Sequence, residues 1–165
     1  MDFRLRRDTQ EWFKNISGQK PMETMFDQYY LCLMLGLASG RTSPPTKRCP
    51  DCSDLVDAFV SAYRPYQRLI IGLLLIAELG MYGISVAEKE DVQRILLELV
   101  DPNTPTNLTD KGMEKLNEYA SGGFDYLSEI LESRPYHVEE FLKNYVGVLR
   151  DAVSQNDRWQ SDIKI

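Results

Sequence analysis

Residues 21–45 read PMETMFDQYYLCLMLGLASGRTSPP, an apolar helical pattern that ends in a basic, proline-bearing loop. Met22, Met25, Phe26, Tyr29, Leu33 and Leu37 recur at steps of three and four, which places them on one helix face and fits that face for a core. Ser39-Gly40 supplies the stop, because glycine accepts the left-handed conformation that ends helices, and Pro44 and Pro45 cannot continue one. This segment alone predicts a helical architecture, and it contains no catalytic group.

Outward from it, residues 3–7, FRLRR, alternate apolar and basic and suit a short extended segment, with Phe3 and Leu5 on one side and Arg4 and Arg6 on the other. A first helix is expected from Asp8, capped by Asp8 or Thr9, with Trp12, Phe13 and Ile16 as its apolar face and an end at Ser17-Gly18. The loop at 41–51 is the expected exposed excursion. A third helix is expected after Ser53, marked by Leu55, Val56, Phe59, Val60 and Tyr63. Pro65 opens a fourth, whose apolar run at 69–77 reads as buried on nearly all sides and falls far short of the roughly 20 residues of a membrane span.

Ser85 precedes a fifth helix with the stripe Val92, Ile95, Leu96, Leu99 and Val100, followed by a proline-punctuated linker at 101–107. Thr109 caps a long amphipathic helix bearing Met113, Leu116, Ala120, Phe124, Leu127 and Leu131. A last helix follows Pro135, with Val138, Phe141, Leu142, Tyr145, Leu149 and Val153. The expectation is an all-α fold, a compact bundle of about seven helices with a short extended N-terminal segment. Residues 1–155 form one helical domain in this reading, and residues 156–165, with Trp159, form a flexible or partner-docking tail.

The 165 residues and 43% hydrophobic content suffice for one domain with a real core. The net charge of -6 is uneven: residues 1–48 hold eight Lys or Arg against five acids, a net +3, so the remainder carries -9. The basic third is suited to a polyanion and the rest would repel one. No apolar run follows Arg4, Arg6 and Arg7, so no export signal is read and a cytoplasmic location is expected, without a membrane. Three cysteines argue against a disulfide framework.

His137 is the only histidine, which removes two-histidine metal sites and most proton relays, and its place beside Pro135 and Tyr136 suits a surface residue. Cys49-Pro50-Asp51-Cys52 admits three readings, half of a zinc site, a redox pair at a helix N-terminus, or a turn whose cysteines are incidental. Ser121-Gly122-Gly123 lies inside a helical stripe, where glycines permit close helix contact or a bend, and no phosphate-binding loop occurs. The reading is therefore of a protein that is not an enzyme, with no catalytic residue, metal, cofactor or small-molecule substrate expected. The candidate nucleic-acid contacts are Arg4, Arg6, Arg7, Arg41, Lys47 and Arg48, with Thr42 and Ser43 as hydroxyl donors to phosphate. Tyr29, Tyr30, Tyr63, Tyr66 and Trp159 are candidate anchors for a protein partner or edges of the core.

Two blocks, ETMFDQYYLCLMLGLASGRTSPP and EYASGGFDYLSEIL, occur in an order that resembles the small accessory proteins encoded beside DNA phosphorothioation (Dnd) gene clusters. The matching residues are Glu23, Thr24, Met25, Gly36, Gly40, Arg41, Pro44, Tyr119, Ala120, Gly122, Gly123, Leu127 and Ile130. The CPDC stretch and the very apolar run at 69–77 depart from that pattern. The resemblance implies a non-catalytic small subunit of a prokaryotic DNA-modification or anti-phage defence complex. Its partner would be a larger ATPase, SMC-like or nuclease subunit of the same operon, with the DNA backbone as a further contact left open. The alternative is an independent DNA-binding regulator acting as a homodimer.

Overall fold

Phe3 has no exposed surface and sits edge-on to three rings, with centroids 5.0 Å from Phe26, 5.3 Å from Tyr29 and 5.0 Å from Phe59. It is carried by the extended N-terminal segment of a computed structural model that describes residues 1–45 and 52–161. There β1 (Arg4–Leu5) pairs antiparallel with β2 (Ser53–Asp54), Arg4 opposite Asp54 and Leu5 opposite Ser53. Phe3 N donates to Val56 O at 2.9 Å and Leu55 N to Phe3 O at 2.8 Å, which extends the pairing. The helix expected after Ser53 therefore does not form. Pairing with β1 takes the backbone of residues 53–56, and Phe59 drops into the core, so tertiary contacts override a helix-like spacing.

The helices that lie wholly among the described residues are α1 (Arg7–Trp12), α2 (Met25–Ser39), α3 (Gln67–Met81) after a 3-10 turn at Arg64–Tyr66, α4 (Lys89–Leu99), α5 (Asp110–Ile130), α6 (Val138–Gln155) and α7 (Arg158–Ser161). The all-α architecture is as expected, with the two-residue strands as its only sheet among the described residues. α2 begins in a reciprocal cap: Thr24 N donates to Asp27 Oδ2 at 2.8 Å, and Asp27 N donates to Thr24 Oγ1 at 3.3 Å. It ends at Gly40 with φ 74°, the left-handed stop. Thr109 caps α5 by accepting from Gly112 N at 3.0 Å.

α2 and α5 cross at near backbone contact. A Cβ on Gly36 would stand 1.8 Å from the Tyr119 carbonyl oxygen, and one on Gly123 would stand 1.7 Å from that of Cys32. No side chain fits at either point, which explains one glycine of each sequence block, Gly36 and Gly123, as a helix-crossing residue. α2 then divides the interior. One side holds Phe3, Phe26, Tyr29, Leu33, Leu37, Ile70, Leu74 and Leu116; the other holds Trp12, Phe13, Ile16, Cys32, Leu35, Phe124, Phe141 and Tyr145. Each large apolar side chain buried there contributes about 1.5–3 kcal/mol.

α3 departs from expectation. Ile70, Ile71, Leu74, Ala77, Glu78 and Leu79 are buried, but Leu69 is 55% exposed and Leu73, Leu75 and Ile76 are only half-buried. A helix apolar on all sides is normally enclosed. This one leaves a face uncovered.

Candidate protein-docking groove

The four candidate basic residues that are described, Arg4, Arg6, Arg7 and Arg41, do not all face outward as the sequence suggests. Arg6 is internal, 5% exposed: Nη1 donates to Asp125 Oδ1 at 2.8 Å and to Ser121 Oγ at 3.1 Å, and Nε to Asp8 Oδ1 at 2.9 Å. Burial works against its charge, but the bonds and attraction of Asp8 and Asp125 outweigh it and leave the guanidinium more basic than usual. Its Cζ also lies over the Phe124 ring, 5.2 Å from the ring centre. Ser43, read as a phosphate donor, is buried and its Oγ lies 2.8 Å from Ser121 Oγ. Arg41 forms a two-pronged pair with Glu129 at 2.5 and 2.7 Å, and Arg4 pairs with Asp54 at 3.1 Å. Arg7 is exposed; Lys47 and Arg48 lie outside the described residues.

A polar knot of Arg6, Asp8, Ser43, Ser121 and Asp125 thus fastens the N-terminal segment and the loop after α2 to α5. Asn117 does the same one turn earlier, accepting from Arg4 N at 3.0 Å and Tyr29 OH at 2.8 Å while its Nδ2 donates to Asp2 O at 3.1 Å. These residues hold structure together, which leaves the basic third with fewer cations to offer outward than its count implies.

His137 is exposed at the start of α6 and lines two open hollows of about 490 and 620 Å³. Of the CPDC stretch only Cys52 is described, with its Sγ 3.3 Å from Pro45 O; Cys49, Pro50 and Asp51 fall outside. Cys32 is buried in the core, and that burial pushes its thiol far above the ordinary range. Among the described residues no group of His, Cys, Asp and Glu is arranged to hold a metal ion. No described helix is long and apolar enough to cross a membrane.

One feature that folding leaves unexplained is a groove on the outer side of α2. Both α3 and α6 pack on α2. Leu69, Leu73 and Ile76 on α3, Leu142, Val146, Leu149 and Val153 on α6, and Tyr30, Met34 and Leu37 on α2 all follow steps of four and three. Leu69, Val146 and Val153 are 55, 49 and 40% exposed, while the groove floor, Leu37 and Ala38, is buried. Met34, Leu37, Ala38, Leu73, Leu149, Val153 and Trp159 enclose an apolar hollow of about 220 Å³.

The α6 stripe runs beside a separate, fully packed one of Phe141, Tyr145, Val148 and Ala152. α6 is thus apolar over a wider arc than its core contacts use. Reading each helix for one apolar face concealed this; counting a second stripe at the same spacing would have found it. Tyr29, one proposed anchor, is core; Tyr30 and Tyr63 are half-buried, with ring centroids 4.8 Å apart, and Tyr66 is 49% exposed at the groove's open end. Comparisons with protein-family models, curated proteins and solved structures find no match to this chain.

Proposed function

We propose that this chain is a non-catalytic, protein-binding small subunit that receives a helix of a larger partner in the groove formed by α2, α3 and α6. The observation that carries the reading is the uncovered apolar face of α3, matched across α2 by the second stripe of α6. Such paired stripes suit recognition of an amphipathic helix at i, i+3, i+4 and i+7 positions. The resemblance to accessory proteins of phosphorothioation clusters supports placing the partner in a prokaryotic DNA-modification or anti-phage defence complex, as the ATPase, SMC-like or nuclease subunit of the same operon.

The test is co-purification with that operon partner. Leu69→Glu and Val146→Glu replace exposed residues of the α3 and α6 stripes and should weaken association at least tenfold, roughly 1.4 kcal/mol or more, without lowering the melting temperature of the isolated chain. Undiminished association of both variants overturns the groove as the docking site.

A homodimeric DNA-binding regulator is the second reading, favoured by the net +3 of residues 1–48. The internal position of Arg6 and the carboxylates held by Arg4 and Arg41 weigh against it. Sedimentation together with DNA binding across salt concentrations separates the two, since a self-sufficient binder would be a dimer whose affinity falls steeply with salt.

A further inference from the structure

One end of the groove is occupied by the chain itself. α7 lies where α2 and α3 finish, held by three polar anchors. Asn156 Nδ2 donates to Ala38 O at 2.9 Å, Trp159 Nε1 to the same carbonyl at 3.1 Å, and Arg158 Nη1 to Ala77 O at 3.1 Å. Arg158 thereby places its charge at the negative ends of two helices. It crosses Gly80 so closely that a Cβ there would stand 2.4 Å from its Cδ, and a Cβ on Gly40 would stand 3.3 Å from its Nη1. The seat in this form requires glycine at position 80. Trp159 remains half-buried against the hollow, and it shows what that end of the groove accepts, an aromatic ring with one N–H to donate.

The shoulders carry a sign. Arg68 is the one charged residue of α3 from residue 67 to residue 77, and Lys143 and Arg150 border the exposed stripe of α6, with Glu139 the acid on that side in the first turn. Arg68, Lys143 and Arg150 are exposed, and none has an ion pair among the described residues. Unpaired cations beside an apolar groove, in a chain of net charge -6, favour an occupant with acidic flanks.

Resting on the protein-docking reading above, we propose that the partner segment is an amphipathic helix with an apolar stripe flanked by Asp and Glu, and that its aromatic anchor takes the place of Trp159 and lifts α7. α7 is then a built-in competitor, and the apparent affinity of the groove includes the work of displacing it.

The experiment uses the isolated full chain and two synthetic helical peptides that share a Leu and Phe stripe at i, i+3, i+4 and i+7 and differ only in Glu or Lys flanks. The Glu peptide should bind at least tenfold more tightly at roughly 0.05 M salt, with the advantage shrinking as the salt rises toward roughly 0.5 M. Its binding should shift the Trp159 emission to the red, a change absent in Trp159→Phe. Gly80→Ala, which removes the seat of Arg158, and Arg158→Ala should each raise the affinity several-fold. Equal binding of the two peptides, or no binding, overturns the acidic-flank inference. Binding with Trp159 emission and both variants' affinities unchanged overturns the competitor role. The docking reading itself fails by a different result, undiminished partner association of Leu69→Glu and Val146→Glu.

Discussion

Gly123 and Gly147 are both helical glycines, and they should respond oppositely to the same substitution. Gly123→Ala forces a methyl against the Cys32 carbonyl at 1.7 Å, so α2 and α5 must separate; the expected loss is about 3 kcal/mol or more by thermal or denaturant unfolding. Gly147 meets nothing within 4 Å, and Gly147→Ala should instead add up to about 1 kcal/mol through helix propensity. Equal responses would mean that the crossing is looser than described. Arg6 offers a second residue-scale test. Arg6→Met breaks the buried ion pair with Asp125, 6% exposed, and should cost about 3–5 kcal/mol, whereas Arg6→Met combined with Asp125→Leu should recover much of it. The phenols of Tyr29, Tyr119 and Tyr145 and the Cys32 thiol are all raised, by burial first, so the folded state favours their neutral forms. Their contribution is fully present below the unfolded values and is lost as the unfolded chain ionises, from about pH 8.5 for the thiol and about pH 10 for the phenols. Melting temperature should hold near neutrality and decline through that alkaline range.

At the scale of elements, the uncovered face of α3 predicts a contrast between neighbouring leucines. Leu69→Lys, on the exposed face, should leave the melting temperature nearly unchanged, while Leu74→Lys, at a site with no exposure, should prevent folding. Circular dichroism melts of the two variants check this. Most of the helices were legible, because their information is local: Thr109 as a cap, Gly40 as a stop, and stripes at helical spacing. The segment after Ser53 was not, since its conformation is decided by β1, about 50 residues earlier in the chain. The position of Arg6 was hidden for the same reason. Charge counting placed Arg6 on a surface, but its surroundings are set by Ser121 and Asp125, more than 100 residues away. The groove left signs in the sequence, as second stripes on α3 and α6; whether a stripe is covered depends on which helices pack, which periodicity does not encode.

For the whole molecule, the proposed docking mode predicts a chain that is monomeric when alone and binds DNA weakly, with little gain at low salt; a stable dimer with a steep salt dependence by sedimentation and gel shift would contradict it. The crossing of α2 and α5 has a further consequence, for the birth of the protein. The bonds that flank it, Tyr29 to Asn117 and Arg41 to Glu129, each join residues 88 apart in the chain. During synthesis α2 emerges long before α5, with the surfaces meant for both halves of the interior still bare. Nascent chains halted before Asp110 should therefore be captured by chaperones or aggregate, and protection from proteolysis should rise steeply only once residues up to Ile130 have left the ribosome.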